Sequence, residues 1–221
     1  IHDLWNSDRR NRVWRAMKTE KATFTGADGQ QLAAELDLPP GPPRAVALFA
    51  HCFSCGKDLK SARRLTTRLT DRGFAVMRFD FTGLGSSEGD FADTNFSSNV
   101  ADLLAAADWL RQTYSAPSLL IGHSLGGAAA IAAAAHIPEL TAVATVGAPA
   151  DPGHVAHLFS CALDEIEENG HADVSIAGRT FTVKKQFLDD IAGIQLDEAL
   201  AALDVPLLVM HAPEDTIVSI D

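Results

Sequence analysis

The chain has 221 residues, of which 47% are hydrophobic and 21% charged, and its net charge is −11 at neutral pH. This composition is typical of a soluble globular protein, and the negative charge argues against a nucleic-acid partner. No apolar run reaches the roughly 20 residues of a membrane span, and three sparse cysteines, Cys52, Cys55 and Cys161, favour a cytoplasmic protein over a disulfide framework.

The first residues differ in charge from the rest of the chain. Residues 1–21 hold six of the 18 Lys and Arg residues and two of the three Trp residues. We therefore separate residues 1–19 as an N-terminal extension. Two interpretations stay open: the residues up to 16 are non-native and precede a start at Met17, or the extension is a basic, aromatic arm that packs on the body or on the second copy of a homodimer.

Residues 20–149 predict the first part of an α/β core. Segments of alternating polarity on either side of residues 27–29 predict a β-hairpin. After it, apolar strands alternate with helices. The strands are predicted at 44–50, 74–81, 118–122 and 141–149, and the helices at 58–72, 99–114 and 125–136. This alternation predicts a mostly parallel central sheet with helices on both faces.

Residues 150–204 interrupt the alternation. They contain a helix candidate at 154–168 and a hairpin candidate with its turn at Gly178. An insertion between two sheet strands predicts a small cap or lid over the C-terminal edge of the sheet, where open α/β folds bind ligands. Residues 205–221 then form the second, truncated part of the core, with one strand at 205–213.

The sequence Gly122-His123-Ser124-Leu125-Gly126-Gly127 follows a buried strand and opens a helix. That context is the one a nucleophile elbow requires, so Ser124 is the candidate nucleophile. The alternative is a small-residue turn without catalysis. One oxyanion N–H normally comes from the residue after the nucleophile and the other from the loop after the first parallel strand, which gives Leu125 and Phe53.

Two further motifs surround this candidate site. Asp215 follows the strand at 205–213 by a short turn, where an acid can orient an imidazole. In the loop that contains Phe53, we interpret His51 as orienting the loop, and Cys52-x-x-Cys55 leaves a zinc or redox pair open as alternatives. No metal or organic cofactor is required by the predicted chemistry.

Together these motifs resemble an α/β-hydrolase. The matching segments are residues 51–53, 80–87, 122–127 and 211–218. More narrowly, residues 50–58 and 177–190 resemble the hydrolase half of proteins that join an α/β-hydrolase to a C-terminal OsmC-like peroxidase domain, although no OsmC-like segment occurs here. The resemblance implies an α/β-hydrolase fold and a Ser-His-Asp triad that cleaves small carboxylic esters or thioesters through an acyl-enzyme. A redox pair would instead serve a fused peroxidase domain.

The catalytic histidine is the main departure from the family pattern. It should follow Asp215, but residues 216–221 contain none, and the last strand and helix of the fold are missing too. We expect the histidine to lie beyond residue 221. Two alternatives remain: a histidine of the insertion, His154, His157 or His171, takes the role, or the protein is a non-catalytic binding or scaffold module.

Overall fold

The computed structural model of the protein describes residues 17–52, 55–176 and 178–220. The interpretations of residues 1–16 lie outside these described residues. The strands are β1 (Lys18–Thr25), β2 (Gln31–Leu38), β3 (Ala45–Ala50), β4 (Phe74–Phe79), β5 (Leu119–His123), β6 (Ala142–Val146), β7 (His171–Ile176), β8 (Arg179–Lys184) and β9 (Leu207–Met210). The α-helices are α1 (Lys60–Thr70), α2 (Phe96–Thr113), α3 (Leu125–Ala134), α4 (Leu163–Asn169), α5 (Lys185–Ala192) and α6 (Leu196–Ala201). Short 3₁₀ segments cover Phe91–Asp93 and Pro152–Ala162.

Seven strands form one sheet in the order β1-β2-β4-β3-β5-β6-β9. The β1–β2 and β2–β4 pairs are antiparallel, and β4, β3, β5, β6 and β9 run parallel. The predicted hairpin is confirmed: β1 and β2 pair from Lys18–Leu38 to Thr25–Gln31, and Gly29 makes the turn with φ of 83°. The predicted α/β-hydrolase fold with a mostly parallel sheet is therefore confirmed.

The helix predicted at 99–114 begins three residues earlier than expected. Asn95 is its N-cap: the Asn95 side chain accepts from the Ser98 N–H at 2.8 Å, and the Ser98 hydroxyl accepts from the Asn95 N–H at 2.9 Å. This reciprocal capping box satisfies two backbone donors at the helix start. The apolar side chain of Phe96, 1% exposed, then begins the buried face of the helix.

The insertion between β6 and β9 has its own small sheet. The predicted hairpin is confirmed as β7 and β8, with Gly178 at φ of 78° in the turn. The helix predicted at 154–168 is wrong in its first part, since Pro152–Ala162 is a 3₁₀ segment interrupted at Phe159, whose φ is −131°. Phe159 is fully buried and its ring lies 6.1 Å from that of Phe187 on α5, so packing of this side chain accompanies the break.

Strand β9 lies at one edge of the large sheet and carries exposed apolar side chains. Leu208 and Val209 are 58% and 60% exposed.

Among the helices that the structure describes, none combines the length and the apolar character that crossing a bilayer would require.

A buried ion cluster joins the antiparallel end of the sheet to the loop after β3. Arg78 on β4, 3% exposed, donates to Glu35 at 2.8 Å and to Asp37 at 3.2 Å on the neighbouring strand β2. It also donates to the Lys57 carbonyl at 2.6 Å. One guanidinium therefore neutralises two buried carboxylates and holds the loop that runs from β3 to α1.

We expect Arg78→Met to lower the free energy of unfolding by about 3–5 kcal/mol, because the buried Glu35 and Asp37 would lose the guanidinium that they share. Urea unfolding of the variant measures the loss. Arg64→Met, on the exposed face of α1, is the matched control and should stay within about 0.5 kcal/mol of the original protein. Equal stability of the two variants would contradict the role given to this cluster.

Candidate active site

Ser124 stands between β5 and α3 in a strained backbone conformation. Its φ is 54° and its ψ −130°, and it is the non-glycine residue with positive φ among the residues described. Such a conformation costs about 1–3 kcal/mol and persists where the surrounding structure enforces it. Here the Ser124 N–H donates to the Val146 carbonyl at 2.9 Å, and the Ser124 carbonyl accepts from the Gly127 N–H at 2.7 Å. The strand–turn–helix geometry predicted for a nucleophile elbow is present.

The glycines around Ser124 allow a backbone approach that a side chain would block. A Cβ on Gly122 would lie 2.2 Å from the Gly126 carbonyl oxygen, and a Cβ on Gly126 would lie 2.2 Å from the His51 carbonyl oxygen. The first contact closes the elbow on itself. The second presses the start of α3 against the end of β3, so the elbow and the loop after β3 are in direct contact.

The two predicted oxyanion donors have different outcomes. Leu125 is the first residue of α3, so its N–H has no partner inside the helix and lies at the positive end of the helix dipole. That placement suits a donor to a developing oxyanion. Phe53 lies outside the described residues, and its predicted role is not tested by the structure.

The loop that contains Phe53 is anchored by its neighbours. His51, 1% exposed, donates from Nδ1 to the Cys52 carbonyl at 2.8 Å, and the Cys55 N–H donates to the same oxygen at 3.1 Å. Cys52 and Cys55 form a disulfide. The expectation that the cysteines form no disulfide framework missed this local bond, which needs only a turn that brings two nearby side chains together. No cluster able to hold a metal ion occurs among the residues described, so the zinc alternative has no support there.

Asp80, in the turn after β4, forms a second anchor for this loop. Its carboxylate, 1% exposed, accepts from the Lys57 N–H at 2.6 Å, from Lys57 Nζ at 2.7 Å and from the Ser86 N–H at 3.0 Å. The turn does depend on glycine, since a Cβ on Gly85 would lie 2.3 Å from Asp80 Cγ. Lys57 was missed because only the tertiary structure brings its loop to the end of β4.

Asp215 reaches the same edge of the sheet from the turn after β9. Its Oδ2 lies 3.3 Å from where a Cβ on Gly147 would be, beside the end of β6. Its Oδ1 accepts from the N–H groups of Val218, at 3.0 Å, and Ile217, at 2.9 Å, and these bonds lower the pKa of Asp215. The carboxylate therefore favours its charged form, and Oδ1 is the oxygen that accepts from both amides.

His211 and His154 contact the segment that carries Asp215, whereas His171 bonds to another residue of the insertion. His211 donates from Nε2 to the Val218 carbonyl at 2.8 Å, and the same Nε2 is 3.9 Å from Asp215 Oδ2. His154 of the insertion donates to the Ile217 carbonyl at 3.0 Å and lies 5.2 Å, ring to ring, from His157. His171 on β7 donates to the Asn169 carbonyl at 3.2 Å. The structure thus brings His154 to the acid loop, which is the turn of residues 212–218 that carries Asp215. His171 forms its hydrogen bond within the insertion.

Burial lowers the pKa of His51, and it also lowers the pKa of His123, where the charge of Asp215 opposes the shift. Both groups bind protons more readily in the unfolded chain, whose reference pKa is 6.5. Stability is therefore fully present above pH 6.5 and is lost as the pH falls through the lowered folded-state values. The slope reaches at most about 1.4 kcal/mol per pH unit for each histidine.

We expect His51→Gln to reduce the loss of unfolding free energy between pH 7.5 and pH 5.5, as measured by urea unfolding at both values. His136→Gln, on an exposed residue, serves as the control and should keep the original slope. An unchanged slope in His51→Gln would contradict the assignment of a buried neutral imidazole.

Comparison with known proteins shows which family the chain resembles. The family model described as "Serine aminopeptidase, S33" (Hydrolase_4) matches residues 41–169, more than half of the chain. Human monoglyceride lipase is 34% identical over 117 residues, covering 52% of this chain and 38% of the lipase. Rat mitochondrial palmitoyl-protein thioesterase ABHD10 is 29% identical over 153 residues, covering 66% of this chain and 50% of the thioesterase. The chain thus spans half or less of the length of these two relatives.

A solved structure is similar over more of the chain. The esterase domain of a Rhodothermus marinus protein is 46% identical, covers 92% of this chain and 80% of its own, and superposes with a TM-score of 0.72. Mouse ABHD10, at 21% identity and a TM-score of 0.67, shares the fold. With the elbow at Ser124 inside the matched region, the chain belongs to the serine aminopeptidase S33 family of α/β-hydrolases.

Proposed function

We propose that the protein is a serine hydrolase that cleaves carboxylic esters or thioesters of small acyl groups. The observation that carries this proposal is the strained elbow at Ser124, with φ of 54°, at the start of α3 and at the same sheet edge as Asp215. Similar proteins are by name a lipase, a thioesterase and an esterase domain, which supports the transfer of an acyl group to water.

In the proposed mechanism, Ser124 Oγ attacks the acyl carbonyl and forms an acyl-enzyme. The N–H groups of Leu125 and Phe53 hold the tetrahedral oxyanion, and the N-terminal dipole of α3 favours the same charge. A histidine takes the serine proton and returns it to the leaving alcohol or thiol. The histidine then acts as base for a water molecule that attacks the carbonyl of the acyl-enzyme, which releases the carboxylic acid and restores Ser124.

Asp215 orients this histidine. Because backbone amides occupy its Oδ1, Oδ2 is the oxygen that remains to accept from an imidazole N–H. We place the histidine beyond residue 221, as the family order predicts. Among the residues described, His154 is the alternative, since its hydrogen bond to the Ile217 carbonyl holds its ring against the acid loop.

We propose that the insertion acts as a cap over this site. It begins close to the end of β6, next to Ser124 in the sheet, and returns to β9, whose following turn carries Asp215. The bond between His154 and Ile217 ties its first segment to the acid loop. The substrate would then enter between the insertion and the C-terminal ends of the strands.

A fused OsmC-like domain, a homodimer and a cytoplasmic location stay predictions.

The test is the intact mass of the protein isolated from its natural source, before and after a fluorophosphonate probe. We expect one adduct, located on Ser124 by peptide mapping. An adduct on a chain near 23.5 kDa would assign the base to a histidine such as His154, whereas an adduct on a longer chain would place it beyond residue 221. Unreacted Ser124 in folded protein would overturn the proposal and favour a non-catalytic binding module.

A further inference from the structure

The disulfide between Cys52 and Cys55 lies in the loop next to the elbow. Both cysteines are half-buried, whereas Cys161 is exposed and free. The Cys52 carbonyl accepts from the Cys55 N–H at 3.1 Å, so a hydrogen bond and a covalent bond link the same two residues. The proposed mechanism does not use either sulfur atom.

Both ends of this loop are fixed to the buried part of the fold. On one side, His51 is buried and donates to the Cys52 carbonyl at 2.8 Å. On the other side, Lys57 is held by Asp80 at 2.6 and 2.7 Å, and its carbonyl accepts from Arg78 at 2.6 Å. The two cysteines therefore lie between two points at which the chain is fixed.

The loop also contacts the catalytic elbow. A Cβ on Gly126 would lie 2.2 Å from the His51 carbonyl oxygen, so a shift of the loop would displace the start of α3. The residue proposed as oxyanion donor, Phe53, lies between the two cysteines in sequence. Hydrogen-bond donors stabilise a transition state only when they are held in place beforehand.

We propose that Cys52 and Cys55 form a redox-active pair that exchanges with thiols and disulfides of low molecular weight, and that the oxidised pair is the hydrolytically active form. This inference rests on the proposed function of Ser124. In this proposal the disulfide holds in place the loop that presents an oxyanion donor. Its sulfur atoms take no part in acyl transfer.

The exchange is balanced in electrons and protons. A thiolate attacks one sulfur of the Cys52–Cys55 bond, that bond breaks, and the other cysteine leaves as a thiolate that takes up a proton. A second thiol then attacks the mixed disulfide, which frees the remaining cysteine and yields the oxidised low-molecular-weight disulfide. The protein gains two electrons and two protons, and the two thiols lose them.

Reduction removes the covalent link and leaves the hydrogen bond from the Cys55 N–H to the Cys52 carbonyl, so we expect the fold to persist. We expect kcat for a small ester such as p-nitrophenyl acetate to fall roughly tenfold or more, since removing one oxyanion donor completely costs about 10²–10³-fold. KM should change less than about threefold, because the donors act mainly on the transition state.

The experiment equilibrates the protein in reduced and oxidised glutathione or dithiothreitol buffers. Alkylation followed by intact mass gives the fraction of Cys52 and Cys55 in the disulfide, and kcat is measured on the same samples. We expect kcat to follow this fraction reversibly. Cys161→Ser is the matched control and should behave as the original protein. Cys55→Ser should have the low kcat of the reduced protein in every buffer, without a redox response.

Fluorophosphonate labelling of Ser124 in both redox states separates the two proposals. If Ser124 reacts and the ester is cleaved at one rate in both states, the redox proposal is overturned and the hydrolase proposal stands. Loss of the redox response in Cys161→Ser would also overturn it. If Ser124 is inert in both states, the hydrolase proposal fails, and with it the claim that the pair controls hydrolysis.

Discussion

Replacing Ser124 by alanine should lower kcat for ester hydrolysis by roughly 10⁴- to 10⁶-fold, because the atom that forms the acyl bond is removed. The residual rate would come from binding and from the oxyanion donors, which alone give about 10³–10⁴-fold over the reaction in water. Steady-state kinetics on a small ester measures the loss. Ser115→Ala, on an exposed residue, is the matched control and should retain full activity.

The same position offers a second readout that catalysis does not influence. Ser124→Gly should be as inactive as Ser124→Ala but more stable than it by about 1–3 kcal/mol, because glycine adopts the observed φ of 54° without steric cost. Urea unfolding of the two variants measures this difference. Equal stability would show that the backbone at Ser124 is not strained, and substantial activity in Ser124→Ala would remove the nucleophile from the proposed mechanism.

The chain order of the elements could be predicted because each depends on local patterns. Apolar runs such as residues 44–50 indicate buried parallel strands, and the hairpin at Gly178 follows from alternating polarity around a glycine turn. The elbow at Ser124 could be predicted for the same reason, since its glycines are close to it in sequence. These features need no knowledge of how distant segments meet.

The anchors of the loop after β3 could not be predicted in this way. The bonds from Lys57 to Asp80 and from Arg78 to Glu35 join residues far apart in sequence, and charged residues normally indicate a solvated surface. The start of α2 was missed for a local reason: the side chain of Asn95 caps the helix, which therefore begins three residues before the start expected at residue 99. The catalytic base could not be read from spacing, because a triad is defined by geometry.

Gly126→Ala should disrupt both stability and catalysis, because it acts where the elbow meets the loop after β3. The new Cβ would lie 2.2 Å from the His51 carbonyl oxygen and 2.6 Å from the Ala50 carbonyl oxygen. Both are backbone atoms of a buried strand end, so no flexible side chain can move aside. We expect the free energy of unfolding to fall by about 3 kcal/mol or more, at the upper end of overpacking effects.

The loss of activity should exceed what instability alone explains. Relieving the clash moves the start of α3 away from β3, and with it the Leu125 N–H that is proposed to hold the oxyanion. A displacement of about 1 Å in a catalytic group can cost about 10²-fold in rate, so kcat should fall at least that far in protein that is still folded. Gly193→Ala is the matched control, since its Cβ would meet its nearest atom at 3.5 Å and should change neither property. If Gly126→Ala behaves like Gly193→Ala, α3 and β3 do not approach this closely, and the coupling of the loop to the elbow fails together with the redox control that depends on it.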